Sequence, residues 1–324
     1  MKEFQYIYPK TAESVPLILG EYDGKVLLYA GGTDALARMK EGINRPEQVV
    51  NLKAVKELNY IKEEPDGLRI GATTLLADIV NSKVAQMYGG LSKAVETVGT
   101  IQLRNMGTLS GNLCQRPRCW YFRSRHFHCI RKGGDVCFAV SGNNKYHAIL
   151  GGSSCYIVYP SDAAPMLITL GAKVEILGPD GTRMLPLEDF YILPEKDPTR
   201  ETILKPDEIV SSVFVPNNAK QLKSIYLKFR ERDSFDFAMV SVAVSAKVSG
   251  NKLSDVKIVL GGVAPVPWRA KKAEKILDGN SITDDLLKKA GEAELENAEP
   301  LEQNEYKIIL TKNLLKRAVG KLLA

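Results

Sequence analysis

No run of 18 apolar residues occurs anywhere in this 324-residue sequence, so nothing in it could cross a bilayer as a helix. The opening stretch, MKEFQYIYPKTAESV, lacks the uninterrupted apolar core of a secretory signal, and the expected location is the cytoplasm. Thiols stay reduced there, which excludes a small disulfide-stapled module. Internal repeats and low-complexity tracts are missing as well. The remaining composition is that of an ordinary globular protein, 44% hydrophobic and 25% charged. At about 100 to 200 residues per domain, the length predicts two or three domains. Lys and Arg exceed Asp and Glu by only six, an excess that would draw nucleic acid only if it were gathered on one patch.

Histidine is scarce, with three residues in all, and His126, His128 and His147 share residues 114–155 with all five cysteines: Cys114, Cys119, Cys129, Cys137 and Cys155. Buried thiols would need apolar surroundings. This segment instead reads CQRPRCWYFRSRHFHCIRKGGDVC and holds no acid before Asp135. Metal binding is the leading explanation. Zinc sites favour tight CxxC knuckles, whereas intervals of 9, 7 and 17 residues follow Cys119. An iron–sulfur cluster tolerates wide spacing, and its thiolates leave negative charge that arginines would offset. The residues alone leave zinc and an iron–sulfur cluster both open. A basic run is most often simply a solvated face.

Along the chain, Val26–Tyr29 reads as a strand, Ala30-Gly31-Gly32 as a turn, and ALARMKEG as a helix with Thr33 and Asp34 as cap candidates. Such a turn can hold a pyrophosphate, although this one fits neither GxGxxG nor the P-loop. A helix is expected around Leu91–Val98. The glycines of RNMGTLSGNLCQ (Arg104–Gln115) suit close backbone approach. Ile157 and Val158 read as a strand, with Ser161 and Asp162 opening the next helix. KVEIL and EIVSSVFVP read as strands. The polar NNAKQLK (Asn217–Lys223) marks a boundary, followed by three strands and then helices from Trp268 onward.

AGGTD (Ala30–Asp34), RNMGTLSGN (Arg104–Asn112), PSDAAP (Pro160–Pro165) and GGVAPVPWRA, in that order, resemble the FAD-binding medium subunit of the xanthine dehydrogenase and molybdenum hydroxylase family. The resemblance spans nearly the whole chain. Its inserted cysteine loop is most like that of the 4-hydroxybenzoyl-CoA reductase beta subunit, which carries an additional 4Fe-4S cluster. The implied fold class is α+β. A two-lobed FAD-binding domain of the vanillyl-alcohol-oxidase (PCMH) type would occupy residues 1–217, with lobes of about 1–55 and 56–217 and the loop at 114–155. A C-terminal domain of the CO dehydrogenase flavoprotein type would occupy 222–324.

The resemblance also implies residue roles. Tyr29, Ala30, Gly31, Gly32, Thr33, Asp34 and Ala35 would hold the FAD pyrophosphate. Val98, Thr108, Gly111, Asn112 and Gln115 would line the cofactor, and Asp162, Val210 and Lys228 would sit by the isoalloxazine. Without the resemblance, Asp162 reads as a helix cap and Lys228 as a solvent-facing lysine. Cys119, Cys129, Cys137 and Cys155 would ligate the cluster, and Cys114 would belong to the FAD motif.

The chain has no second cysteine set and no region for molybdopterin. The expectation is therefore an electron-transfer subunit whose partners are a molybdopterin-binding large subunit and a 2Fe-2S small subunit. Its external carrier would be a ferredoxin or NAD(P), with no nucleic acid and no membrane. The holoenzyme substrate could be an aromatic acyl-CoA thioester, a purine or another N-heterocycle. Rival readings are a self-sufficient flavin oxidase and a zinc-stabilised nucleic-acid binder that stacks bases on Trp120, Tyr121 and Phe122.

Overall fold

The computed structural model describes residues 1–22 and 25–324. Three short strands, β1 (Gln5–Ile7), β2 (Val26–Tyr29) and β3 (Gln48–Asn51), pair in parallel in the order β1-β3-β2. Parallel neighbours need crossovers, and helices Ser14–Glu21 and Ala35–Lys40 supply them. Val15, Leu19, Val50, Leu52 and Val55 fill the small core that results.

A second sheet is antiparallel, in the order β4-β5-β8-β6-β7. Its strands are β4 (Ile61–Glu64), β5 (Gly67–Gly71), β6 (Lys173–Gly178), β7 (Gly181–Pro186) and β8 (Ile209–Pro216). Central β8 is buried along almost its whole length, which is why IVSSVFVP reads as a continuous run rather than an alternating one. Its two serines are accommodated because both hydroxyls donate to Glu175 Oε1. Residues 72–172 lie between β5 and β6. They contribute helices Leu76–Asn81, Leu91–Glu96 and Ala163–Thr169, whose apolar faces cover the sheet through Ile79, Leu91, Val95, Met166 and Leu167.

The last third forms β9 (Lys223–Phe229), β10 (Val240–Ser249), β11 (Lys252–Gly261) and β12 (Trp268–Arg269), antiparallel in the order β12-β11-β10-β9. Alternation along β10 explains its two faces. Val240, Val242, Val244 and Ala246 point into a core shared with helices Lys271–Leu277, Asp284–Glu294 and Tyr306–Leu323. The intervening small residues face helix Ala163–Thr169, and Ser245 Oγ donates to the Thr169 carbonyl at 2.8 Å.

One expected element is absent. Ile157 and Val158 are extended but belong to no strand. Their segment is held by single bonds instead, Tyr159 N to Ala264 O at 2.9 Å and Ala148 N to Tyr156 O at 2.8 Å. Ile157 and Tyr159 are buried, and Tyr156 and Val158 half-buried, without a ladder.

The end of the cysteine loop is laced to the C-terminal domain. Asn304 Nδ2 donates to the carbonyls of His147 and Ala148 at 3.1 and 3.2 Å, and the Gln303 amide donates to Asn144 Oδ1 at 2.9 Å. Lys307 Nζ donates to the carbonyls of Tyr146 and Gly262 at 2.9 and 2.6 Å. Lys307 is wholly buried, and burial pushes its ammonium down to about 7 from an ordinary 10.5. Between those two values the unfolded chain binds the proton more fully, so stability should rise with pH, by up to about 1.4 kcal/mol per unit. Urea unfolding from pH 7 to 10 should show a shallower rise in Lys307→Gln than in the parent. Equal slopes would contradict this origin.

Candidate functional site

The glycine turn after β2 meets the second glycine segment directly. A Cβ on Gly31 would lie 2.1 Å from the Met106 carbonyl oxygen, so only glycine permits this approach. Gly32 has φ +73°, and a Cβ there would lie 2.5 Å from the Tyr29 ring. Any substitution of Gly32 therefore strains the backbone. Thr108 caps helix Leu109–Leu113 by accepting from Gly111 N at 3.2 Å, and Asn112 Oδ1 accepts from Ser161 Oγ at 2.6 Å.

Between these segments lies a cavity of about 540 Å³. Ala30, Gly31, Gly32, Thr33, Asp34, Ala35, Val98, Thr108, Gly111, Asn112, Gln115 and Val210 all line it, as does Cys114. A second cavity of about 430 Å³ adjoins it, and Arg118 and Phe237 line both. Asp162 lines the second. Tyr29 packs against Gly32 and, edge-on, against Tyr6. Lys228 lines neither cavity.

Asp34 stands at helix Ala35–Lys40, yet its side chain does not cap it. It faces arginines instead: Arg123 Nη2 at 2.6 Å, Arg118 Nη1 at 3.1 Å and Arg38 Nε at 3.2 Å, with the Arg116 backbone N–H donating at 3.2 Å. Burial opposes its ionisation, but Arg118, Arg123 and Arg38 hold its carboxyl below the ordinary value. Burial pushes Arg118 down to about 10, and its buried Nε has no hydrogen-bond partner. One carboxylate faces three guanidiniums, and Arg38 and Arg118 also line the cavity, so the site is short of an anion.

These contacts correct the reading of the basic run as a solvated face. Arg116, Arg118, Arg123 and Arg131 turn inward, onto Asp34 and Glu201. Sequence reasoning missed Arg38 and Arg118 as cavity residues, because it assigned the loop's charge wholly to the cysteines. It also missed Phe235, whose left-handed backbone (φ 73°) is fixed by its amide donating to Gly99 O at 3.2 Å, which sets the residue on the cavity wall.

Ser161, not Asp162, caps helix Ala163–Thr169, accepting from Ala164 N at 3.1 Å. Asp162 is free for another role. Its carboxylate accepts from Tyr226 OH and from Lys228 Nζ, each at 2.8 Å, and Lys228 also donates to Thr97 O at 3.0 Å. Lys228 and Asp162 are only 2% and 5% exposed, so the solvent-facing reading of Lys228 does not hold.

Four of the cysteines share one neighbourhood. Burial pushes Cys119 up to about 11, and the charges of Cys155 and Cys129 add to the rise. Hydrogen bonding from Cys137 and the charge of Arg131 bring Cys155 down to about 6 against its burial. Arg131 Nε lies 3.4 Å from Cys155 Sγ. His147 Nε2 lies 3.3 Å from Cys119 Sγ, and burial, aided by Lys307, pushes this imidazole down to about 4. His126 and His128 are exposed. Cys114 stands apart on the cavity wall, where burial pushes its thiol up to about 12. Among the described residues, no three His, Cys, Asp or Glu side chains are grouped tightly enough to hold a single metal ion, and no helix is long and apolar enough to cross a membrane.

Two family models cover the chain. Residues 2–218 match the FAD binding domain in molybdopterin dehydrogenase, and residues 225–322 match the CO dehydrogenase flavoprotein C-terminal domain. The aldehyde oxidoreductase FAD-binding subunit PaoB of Escherichia coli K12 is 35% identical over 97% of this chain and 96% of its own length. The carbon monoxide dehydrogenase medium chain of Hydrogenophaga pseudoflava is 26% identical over 98% and 96%. A solved structure of that organism's carbon monoxide dehydrogenase superposes with a TM-score of 0.78 at 26% identity, covering 98% of this chain and 96% of that one.

The Asp162–Lys228 pair makes a direct demand on stability. Removing one partner leaves a buried charge uncompensated, a loss of about 3 to 5 kcal/mol. Lys228→Met should lose that much in urea unfolding, and adding Asp162→Asn should return most of it. A single variant as stable as the parent would show that the pair is not buried as described.

Proposed function

The chain belongs to the family of FAD-binding domains in molybdopterin dehydrogenases, and from that membership we propose that it is the electron-transfer subunit of a heterotrimeric enzyme, carrying FAD and one 4Fe-4S cluster. The single observation that carries the flavin site is the convergence of both glycine segments and three arginines on one cavity. FAD, when bound, supplies the exchange between two-electron and one-electron transfer.

The chain's own groups divide the work. Arg118 and Arg38, both on the cavity wall, offer cationic partners to the diphosphate beside Ala30–Ala35. Val98, Val210 and Phe237 offer apolar walls for the ring toward Asp162. Lys228 acts through Asp162, holding that carboxylate in place, and so differs from a lysine that touches the ring itself.

For the cluster, the donor chemistry supports Cys119, Cys129, Cys137 and Cys155: four thiols that act on one another's charge, with Arg131 and His147 poised at two of the sulfurs. A four-iron cluster is bound at its corners and suits a wider ligand set than one zinc ion does. Zinc in the native protein would overturn this choice.

Substrate chemistry belongs to the molybdopterin-binding and 2Fe-2S partner subunits, as does the choice of substrate. Relatedness favours an aldehyde: the aldehyde oxidoreductase subunit is 35% identical, against 24% for an Escherichia coli xanthine dehydrogenase subunit. The 4-hydroxybenzoyl-CoA reductase reading rests on the cysteine loop alone, so acyl-CoA thioesters and purines are second in order of assay. The external carrier would be a ferredoxin or NAD(P), a choice on which the inward-turned arginines of the loop do not bear.

Three experiments test the cofactor assignments. Acid denaturation should release all the flavin, because the cavity between the glycine segments is lined by no histidine and His147, in the second cavity, has its Nε2 against Cys119 Sγ; yellow colour left on the precipitate would refute this. Arg118→Gln should weaken FAD binding about tenfold to a hundredfold, as expected for one charge-assisted hydrogen bond; unchanged affinity would remove Arg118 from the diphosphate site. For the cluster, Cys119→Ser, Cys129→Ser, Cys137→Ser and Cys155→Ser should each lose iron, sulfide and the low-temperature EPR signal of the reduced protein. Cys114→Ser should keep them. The reverse pattern would overturn the ligand assignment.

A further inference from the structure

We infer that Glu201 is a positioning residue shared by both cofactor sites, through which an occupied cluster tightens FAD binding. This rests on the cluster reading above and goes beyond it. Glu201 belongs to neither loop. It lies between β7 and β8, its carbonyl accepts from Ile192 N at 3.1 Å, and its side chain is buried.

The two carboxylate oxygens face opposite sites. Oε1 accepts from Arg131 Nη1 at 2.6 Å, and Arg131 Nε reaches Cys155 Sγ at 3.4 Å. Oε2 lies 2.8 Å from Arg116 Nε, an ion pair without hydrogen-bond alignment. Arg116 lines the FAD cavity, and its backbone N–H donates to Asp34 Oδ2 at 3.2 Å. Cys155, Arg131, Glu201 and Arg116 therefore form a run of charged contacts, which the Arg116 backbone N–H continues to Asp34.

Burial gives the run its consequence. In a low dielectric, a guanidinium between two anions is held by both, and losing one loosens its grip on the other. Ligation holds the Cys155 sulfur in one place, which fixes Arg131 and, through Glu201, the wall that Arg116 forms beside Asp34. An empty cluster site leaves that wall less constrained, so FAD must order it on binding. Linkage makes the effect reciprocal: bound FAD strengthens cluster retention by the same factor.

The test measures FAD dissociation constants by flavin fluorescence on the full-length chain, anaerobically reconstituted, with the cluster present and after its removal by chelation. Cys129→Ser supplies a second cluster-free form that leaves Cys155 and Arg131 unaltered in sequence. Cluster loss should weaken FAD binding about fivefold or more in the parent. In Glu201→Gln, affinity should be the same with and without the cluster, within about twofold, because the link is cut. Arg131→Lys, which keeps the charge but loses the planar fork, should shrink the ratio as well and serves if Glu201→Gln does not fold. A parent ratio of one, or an undiminished ratio in the variants, would overturn the inference. Four irons per chain with a ratio of one would defeat the coupling alone, whereas a preparation that takes up no iron would defeat the cluster reading and the coupling with it.

Discussion

Asp34 is the contact on which the two halves of the site depend. It closes the glycine turn after β2, and three of its four cationic or amide partners, Arg116, Arg118 and Arg123, come from the start of the cysteine loop. A single half-buried carboxylate thus organises more positive charge than it can neutralise. The surplus faces the cavity, where an anionic cofactor would complete the balance. The flavin loop and the cysteine loop are separate in sequence yet form one electrostatic unit. A cluster bound by the cysteine loop, on the reading proposed above, would therefore be coupled to the flavin site rather than independent of it.

The C-terminal domain holds this unit from the other side. Asn304, Gln303 and Lys307 bind the backbone of residues 144–147 or its side chains, directly behind His147, whose ring faces Cys119. On β9, Tyr226 and Lys228 reach across to Asp162. Each of these ties satisfies a buried polar group that would otherwise be costly, so the domain is docked by specific partners as well as by apolar area. Small residues on one face of β10 let helix Ala163–Thr169 approach closely enough for Asp162 to be met.

Much of this was legible in the sequence because it depends on local pattern. The strand, glycine turn and helix at Val26–Lys40, the continuous run of β8 and the alternation of β10 follow from period and turn chemistry. Twelve candidate residues line one cavity because motifs in order bring loops to one place. What could not be read was pairing across distance. Asp162 carries the signature of a helix cap, but Ser161 one residue earlier takes that task, and nothing local announces Tyr226 and Lys228 as its partners. Glu201 sits in an unremarkable stretch, and only the folded chain brings it between Arg116 and Arg131. The YIVY run looked like a strand because burial and strand pairing leave the same apolar signature.

The most direct measurement is a crystal structure of the native protein with data collected at the iron absorption edge. The expected result is an anomalous peak enclosed by Cys119, Cys129, Cys137 and Cys155, with flavin density in the same crystal whose diphosphate lies beside Ala30–Ala35 and meets Arg118. An anomalous peak elsewhere, zinc in its place, or a diphosphate bound away from the arginines around Asp34 would contradict it.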